Sequence, residues 1–273
     1  MALPVKPSPW SSKSIQGVLL DISGVLYNNT EDDVGVAIDG SVEAVERLRK
    51  SGLPVRFCTN ETQCTREQLV RKLSRLGFTL GVSEVFPPAP AVCQILKERN
   101  LRPFTVIHPS CDPEFADIDQ NDPNCVVLGD AAKYFTFEKV NKAFQTLMSL
   151  EKPILFSMGQ GKYYKEAGGL KLDVGAYMKA LEYACDVKAE IVGKPSPSFF
   201  NAVLKDMGVD ASNAVMIGDD IVNDVGGAQA CGMKGIQVRT GKFRPSDENH
   251  PTVKPDSYVD NLAAGVDLLL QNR

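Results

Sequence analysis

Histidine is scarce in this chain: its 273 residues include only two, His108 and His250. A Ser-His-Asp or Cys-His catalytic arrangement would need one of them, and neither lies in a strong motif. A metal site built on two histidines is nearly excluded for the same reason. The seven cysteines are scattered and never spaced as C-x-x-C, which favours neither a zinc cluster nor a disulfide framework. Free thiols fit a reducing compartment, so we expect the protein in the cytoplasm.

An excess of positive charge and a long apolar run are also missing. Lysine and arginine number 30 against 34 aspartates and glutamates, a net charge of −4. Nucleic-acid binding requires a basic surface that this balance does not supply. The longest run without a charged residue is twelve residues, 85–96, and it contains three prolines. A spanning helix needs about 20 apolar residues, so we expect neither nucleic acid nor a membrane as a partner.

Glycine motifs that bind nucleotides are absent as well. The sequence contains no G-x-x-x-x-G-K-[ST], and Gly159-Gln160-Gly161 lacks the third glycine of a dinucleotide fingerprint. We therefore interpret that glycine pair as a turn. Apolar residues make up 43% and charged residues 23% of the chain, values typical of a globular protein. The length favours two domains, or one large domain with an insertion.

Strands and helices alternate near the beginning of the chain, a pattern typical of a parallel sheet. The apolar run 17–22 predicts a buried strand, and 55–59 predicts a second one. Between them a helical pattern begins at Ser41, which we interpret as its N-cap. A further helix begins at Thr65, because Thr65 and Gln68 form the T-x-x-Q pattern of a capping box.

The same alternation returns near the end of the chain. It predicts strands at 190–192 and 214–217 and near Ile236 and Tyr258, with a helix from about Ile221. Another helix is predicted to be capped by Ser196, with Pro197 at its first position. These two blocks predict an α/β core domain made of residues 15–87 and 189–273.

Residues 88–188 are predicted to form a domain inserted into that core. The Pro-rich stretch 86–90 predicts the connection into it, and 185–188 the connection out. Residues 1–14 contain three prolines and four serines and are interpreted as a flexible N-terminal arm. Within the insertion we predict strands at 105–108, 125–128 and 154–156 and helices at 137–150 and 174–184.

Polar residues follow four of the predicted core strands. In an open α/β sheet, ligands bind at the carboxyl ends of the strands, so these residues are the first candidates for a site. Taken singly, each has an ordinary alternative as a turn, cap or solvated residue. The four groups are Asp21-Ile22-Ser23-Gly24, Thr59-Asn60, Gly193-Lys194-Pro195, and Gly218-Asp219-Asp220 with Asp224.

Together these residues suit phosphoryl transfer, which needs a nucleophile, a divalent cation and donors directed at the phosphoryl oxygens. An aspartate such as Asp21 can attack phosphorus and form an aspartyl-phosphate. Mg²⁺ prefers oxygen ligands, and Asp21 and Asp219 could supply them. Asp220 and Asp224, four residues apart, are either supporting partners of that site or a solvated acidic edge. We interpret Lys242 and Arg244 as solvated surface.

The four groups give the chain a close resemblance to phosphatases of the haloacid dehalogenase superfamily. The resemblance rests on LLDISGVLY, FCTNE, VGKPSP and MIGDDIVNDVGGAQ, four motifs in the family's order along nearly the full length. It implies a Rossmann-like core with a parallel sheet, an inserted α/β cap of the C2 type at 88–188, and Mg²⁺ as cofactor. It further implies a homodimer, located in the cytoplasm and also in the nucleus.

The resemblance also implies roles for individual residues. Asp21 would be the nucleophile, and Lys194 would steady the charges of the nucleophile and the phosphoryl group. Asp219 would bind Mg²⁺ together with Asp21 and the main-chain carbonyl of Ser23. The substrate would contact Asp21, Ile22, Ser23, Thr59, Asn60 and Lys194.

Ser23 departs from the family pattern, which usually has a second aspartate at this position to protonate the leaving group. A serine hydroxyl cannot act as an acid near neutral pH, so proton transfer worth roughly 10²–10⁴-fold is missing. Phosphoanhydrides and phosphoramidates should suffer least from this loss. This agrees with the substrates that the resemblance implies: phosphohistidine or phospholysine, free or on proteins, imidodiphosphate and pyrophosphate. Two alternatives stay open: a regulator that binds phospho-ligands with little turnover, and a phosphotransferase.

Overall fold

The structure of the protein, a computed structural model, describes residues 15–30, 34–166 and 169–271. The predicted N-terminal arm, residues 1–14, lies outside the described residues. Two parallel sheets with helices on both faces form the protein, which confirms the predicted α/β class. The larger sheet consists, in spatial order, of β14 (Ser257–Val259), β13 (Lys234–Val238), β12 (Ala214–Gly218), β1 (Gly17–Asp21), β4 (Val55–Cys58) and β5 (Val85–Phe86).

The central strand β1 is buried along its whole length, because helices cover both faces of the larger sheet. Alternate residues point to opposite faces: Val18 and Leu20 belong to one apolar cluster, and Leu19 belongs to another. A continuous apolar run is therefore the pattern that such a strand requires. The helices beside this sheet are α1 (Ser41–Lys50), α2 (Arg66–Arg75), α6 (Pro197–Met207), α7 (Gly227–Ala230) and α8 (Leu262–Leu270).

The smaller sheet is built from the middle of the chain. It consists, in spatial order, of β11 (Glu190–Ile191), β8 (Leu155–Ser157), β7 (Cys125–Leu128) and β6 (Pro103–Val106). Its helices are α3 (Pro88–Glu98), α4 (Phe137–Met148) and α5 (Val174–Cys185). Two antiparallel hairpins complete the fold: β2 (Tyr27–Asn28) with β3 (Val36–Ala37), and β9 (Tyr163–Glu166) with β10 (Gly169–Leu172).

The connections between the two sheets differ from the prediction. The strand predicted at 190–192 as part of the core pairs with β8 of the smaller sheet, so the chain returns to the core only after Ile191. The Pro-rich stretch predicted as a linker contains the beginning of α3, since Pro88 occupies the first turn of that helix. Proline is tolerated there because the first helical N–H groups have no partner within the helix. The β9–β10 hairpin was not predicted.

Three predicted helix caps can be compared directly. Ser196 is the N-cap of α6 with Pro197 at the first helical position, as predicted, although its side chain makes no capping hydrogen bond. Thr65 caps α2, its side chain accepting from the N–H of Gln68 while the Gln68 side chain accepts from the N–H of Thr65, so the predicted capping box is confirmed. The prediction for Ser41 is wrong, because Gly40 takes the N-cap position and Ser41 is the first residue of α1. The Ser41 hydroxyl instead donates to the carbonyl of Leu26. No helix among the described residues is both long and apolar enough to cross a bilayer.

Candidate active site

Three aspartates meet at the carboxyl end of the larger sheet. Asp21 is the last residue of β1, and Asp219 directly follows the neighbouring strand β12. Asp224 comes from a single π-helical turn, 221–226, at the position where a helix from Ile221 was predicted. One carboxylate oxygen from each of the three lies within 4.8 Å of the others. We call Asp21, Asp219 and Asp224 the acidic trio.

Glycines make this close approach possible. A Cβ atom on Gly218 would lie 2.2 Å from Oδ2 of Asp224, so only glycine at the end of β12 leaves room for that carboxylate. Asp219 is enclosed in the same way by Gly24 (φ +83°) and Gly241 (φ +61°), whose Cβ atoms would lie 2.1 and 2.0 Å from its Oδ2. Both positions have a left-handed backbone conformation that favours glycine.

Lys194 supplies the positive charge of the site. Its Nζ donates to Oδ1 of Asp21 and to Oδ1 of Asp224, each at 2.6 Å, and the residue is 3% exposed. Burial alone lowers the pKa of a lysine, but the two carboxylates outweigh it and hold the pKa of Lys194 above its usual value. Lys194 is therefore a buried ammonium fixed between the predicted nucleophile and Asp224.

The charges of this cluster are not balanced. Three buried carboxylates face one buried ammonium, which leaves two negative charges in excess when all four groups are ionised. Burial and the neighbouring Asp21 carboxylate accordingly raise the pKa values of Asp219 and Asp224. A divalent cation would neutralise this excess.

Asp219 has an oxygen suited to such a cation. Its Oδ2 accepts from the main-chain N–H of Lys242 at 2.8 Å. Its Oδ1 is buried, and among the described residues no donor reaches it. A buried oxygen without a donor is costly unless an ion or water completes it. Carboxylate oxygens are the ligands that hard divalent cations prefer, so the residues present fit a metal ion of this kind.

Asp220, four residues before Asp224, has a different environment. Its Oδ1 accepts from the N–H groups of Val222 and Asn223, which caps the π-helical turn. Its Oδ2 lies 3.7 Å from Nζ of Lys242. Burial raises the pKa of Asp220, but Lys242 and these hydrogen bonds outweigh it and lower the pKa. Of the two aspartates predicted as supporting partners, Asp220 orders the turn, whereas Asp224 lies inside the cluster itself.

Thr59 and Asn60 follow β4, next to Asp21, and differ in how their side chains are engaged. Thr59 is buried, and its Oγ1 accepts from the N–H of Glu61 at 3.0 Å. Asn60 pairs with the main chain of Lys194: its Nδ2 donates to the Lys194 carbonyl at 2.8 Å, and its Oδ1 accepts from the Lys194 N–H at 2.9 Å.

Ile22 and Ser23 continue from Asp21 into the turn before β2. Ile22 is buried, and its carbonyl accepts from the N–H of Leu26 at 2.9 Å. Ser23 is partly buried and bridges to Tyr27. The turn thus holds Ser23 two residues beyond the predicted nucleophile.

The structure adds residues that the sequence reasoning had not placed at the site. The Lys242 side chain is half exposed, in line with its interpretation as solvated surface, but the main-chain N–H of Lys242 donates to Asp219. Arg244, two residues on, lies 5.2 Å from the ring centroid of Tyr163 in the β9–β10 hairpin. Gln63 donates to Oδ2 of Asp130, which follows β7 of the smaller sheet. These contacts join the two layers of the protein, which are the larger sheet and the smaller sheet, each with its helices. They depend on long-range proximity that no local sequence pattern reveals.

The two histidines have structural roles. Nδ1 of His108 accepts from the N–H of Ser110, and Nδ1 of His250 accepts from the N–H of Val253. Both rings therefore order turns.

Fold and site together define a hydrolase of the haloacid dehalogenase type. A family model for haloacid dehalogenase-like hydrolases matches residues 18–121, and an HAD-hydrolase-like model matches residues 191–265. A 4-nitrophenylphosphatase from Thermotoga maritima has a similar structure, with a TM-score of 0.84 and 26% identity, over 93% of this chain and 97% of the other. A p-nitrophenyl phosphatase from Archaeoglobus fulgidus, at 24% identity, shares the fold with a TM-score of 0.82 over 93% and 99% of the two chains.

Curated relatives are more similar still. The chain is 62% identical to a phospholysine phosphohistidine inorganic pyrophosphate phosphatase from Danio rerio over 261 residues, 96% of each protein. It is also 62% identical to the human protein of that name over 267 residues, 97% of this chain and 98% of the other. The chain therefore belongs to the haloacid dehalogenase-like hydrolase family, as its motifs predicted. It is a phosphatase of that family.

Proposed function

We propose that this phosphatase is Mg²⁺-dependent and hydrolyses P–N and P–O–P bonds through an aspartyl-phosphate on Asp21. The observation that carries the proposal is the arrangement of Asp21 beside Asp219, with the Lys194 ammonium 2.6 Å from Oδ1 of Asp21. The names of the 62% identical relatives support phospholysine, phosphohistidine and inorganic pyrophosphate as substrates. Imidodiphosphate contains a P–N–P linkage and is a convenient small probe of the same chemistry.

The first half of the reaction is assigned to Asp21. One of its carboxylate oxygens attacks phosphorus and forms a new O–P bond, while the bond from phosphorus to the leaving nitrogen or oxygen breaks. The leaving group keeps that electron pair. In the second half, water attacks the aspartyl-phosphate at phosphorus, releases inorganic phosphate and a proton, and restores the Asp21 carboxylate.

Three other groups would assist both halves. Lys194 donates to Oδ1 of Asp21 and opposes the negative charge that builds up on the phosphoryl oxygens. The Thr59 hydroxyl accepts from Glu61 and still has its own proton to donate to a phosphoryl oxygen. Mg²⁺, held by Asp21, Asp219 and the Ser23 carbonyl, would supply further neutralisation of the phosphoryl charge.

Ser23 supports the proposed preference for P–N and P–O–P bonds. Without a carboxylic acid two residues after Asp21, an alkoxide would have to leave with little help from a proton donor. Phosphate is a stable leaving anion, and the nitrogen of a phosphoramidate can be protonated before the bond breaks. These substrates therefore depend least on the missing acid.

The direct test is phosphate release from imidodiphosphate, pyrophosphate and phospholysine. We expect Mg²⁺-dependent release that EDTA abolishes and that Asp21→Asn reduces at least ~10³-fold, since the nucleophile is lost. Binding of the same ligands without release would instead identify a regulator. Faster turnover with added alcohols or amines, and transfer of phosphate to them, would identify a phosphotransferase.

Two further proposals rest on the family resemblance: the protein forms a homodimer, and it works in the cytoplasm and the nucleus. Light scattering on the purified protein would measure its mass in solution. A monomeric mass across micromolar concentrations would contradict the homodimer.

A further inference from the structure

The side chain of Asn60 is committed to Lys194. Both polar atoms of its amide bond the main chain of that residue, Nδ2 to the carbonyl at 2.8 Å and Oδ1 to the N–H at 2.9 Å. The two residues are 134 positions apart in sequence. We call this pair of hydrogen bonds the Asn60 clasp. These bonds use one hydrogen of Nδ2 and one lone pair of Oδ1, and they fix the plane of the amide against the Lys194 main chain.

The clasp lies where the chain passes between the two layers. Gly193, just before Lys194, has a left-handed backbone with φ +126°. A Cβ atom at Gly193 would lie 2.8 Å from Oδ1 of Asn60 and 3.3 Å from Cβ of Pro88. Pro88 begins the first helix of the smaller layer, and Gly193 follows its last strand. Gly193, in the returning connection, is therefore packed between the Asn60 amide and Pro88, which begins the outgoing helix.

The position of the Lys194 ammonium depends on this main chain. A lysine side chain has a flexible four-carbon stem, so its charge is placed only as well as its backbone and its partners fix it. The partners are Asp21 and Asp224, each 2.6 Å from Nζ. The clasp fixes the other end of the same residue.

We propose that Asn60 is a positioning residue whose side chain acts on the reaction through Lys194, not by binding phosphate. This inference rests on the proposed function, because it concerns the lysine of that site. The main-chain N–H of Asn60 is a separate group, and side-chain substitutions leave it in place. A displacement of about 1 Å at a catalytic group can cost roughly 10²-fold in rate, so loss of the clasp should lower kcat.

The test is a double-mutant cycle between Asn60→Ala and Lys194→Met, measured in single turnovers with imidodiphosphate and enzyme in excess. We expect Asn60→Ala alone to lower the rate constant about 10- to 100-fold, with KM in steady state changed less than about 3-fold. In the Lys194→Met background the same substitution should cost less than about 2-fold, because the lysine through which it acts is gone.

The opposite pattern would overturn the proposal. If the amide instead binds phosphate directly, its removal in Asn60→Ala would raise KM. The fold-losses in rate from Asn60→Ala and Lys194→Met would then multiply in the double variant. If Lys194→Met fails to fold, Lys194→Gln, which also lacks the ammonium, replaces it in the cycle, and independent effects of the two substitutions again contradict the proposal. The outcome is separable from the proposed function: a wild-type protein that releases no phosphate removes the function, whereas an active wild type with independent effects removes only this inference.

Discussion

Ser23 is the single residue that most shapes the expected substrate range. It lies partly buried in the turn that follows Asp21, at the position where the superfamily pattern usually has a second aspartate. We predict that Ser23→Asp raises the ratio of kcat/KM for an alkyl phosphate to that for imidodiphosphate by ~10-fold or more, because a carboxylic acid can protonate the alkoxide. Ser23→Asn is the matched neutral control and should leave the ratio near that of the wild type. An unchanged ratio in Ser23→Asp would remove the explanation.

Asp219 is the residue at which the excess negative charge of the site should make stability depend on a bound metal ion. Burial and the Asp21 carboxylate raise its pKa, so its ionised form is unfavourable without a cation. We predict that Asp219→Asn is at least as stable as the wild type in metal-free buffer. At 100 times the dissociation constant, Mg²⁺ should raise the free energy of unfolding of the wild type by about 2.7 kcal/mol, and most of this gain should disappear in the variant.

Thermal unfolding with and without Mg²⁺ measures both effects. Asp220→Asn is the control: Asp220 caps the neighbouring turn through Oδ1, which asparagine retains, and it lies outside the acidic trio. That variant should keep the gain from Mg²⁺. An equal gain in Asp219→Asn would contradict the assignment of Asp219 as a metal ligand.

At the scale of elements, the cap of α5 makes stability depend on pH. Oδ1 of Asp173 accepts from the N–H of Val174, and burial, with help from Asp130 and Glu61, raises the pKa of Asp173 to about 6. The folded protein therefore holds this proton more tightly than the unfolded chain does, and stability falls as the pH rises from about 4 to about 6. Relative to the ordinary pKa of 3.8, this rise corresponds to a loss of roughly 3 kcal/mol at most in the free energy of unfolding.

We predict that Asp173→Asn, which keeps the capping oxygen, stabilises the protein by about 1–2 kcal/mol at pH 7.5, after allowing for screening at this partly buried site. The gain should shrink as the pH falls from about 6 to about 4. Asp119→Asn is the opposite control, since hydrogen bonds from Asn121 lower the pKa of Asp119. It should destabilise at neutral pH, with the loss vanishing in acid. Urea unfolding across this pH range measures both, and a gain independent of pH would contradict the assignment.

Local patterns predicted the elements whose cause is local. The apolar run before Asp21 became β1, and Thr65 with Gln68 formed the capping box, because burial and capping act over neighbouring residues. Ser41 is not the N-cap, because Gly40 takes that position in the left-handed conformation. The Ser41 hydroxyl donates to the carbonyl of Leu26 instead. Sheet membership of the short strand β11 depends on its partner β8, which local periodicity does not reveal.

At the scale of the whole molecule, the site is assembled by the topology. Parallel strands bring Asp21 and Asp219 to one edge of the sheet, and the return from the smaller layer brings Lys194 between Asp21 and Asp224. The strand-end positions of the motifs predicted this convergence, although Lys194 follows β11 of the smaller sheet and not a core strand as predicted. The contacts that refine it could not be predicted, because a main-chain bond such as that from Lys242 to Asp219 leaves no signature in side-chain types.

The smaller layer contacts the core close to the site. Arg244 meets the ring of Tyr163, and Gln63 meets Asp130, so both layers contribute to the surroundings of the acidic trio.

The central claim is that the carboxylate at the end of β1 becomes phosphorylated during turnover. Acid quenching with excess imidodiphosphate and Mg²⁺, followed by borohydride reduction and peptide mass spectrometry, tests it directly, because an acyl phosphate is reduced to an alcohol and a free carboxylate is not. We predict homoserine at position 21 in the wild type and none when substrate is omitted or in Asp21→Asn. Sustained phosphate release with an unmodified Asp21, or reduction at a different carboxylate, would contradict the account.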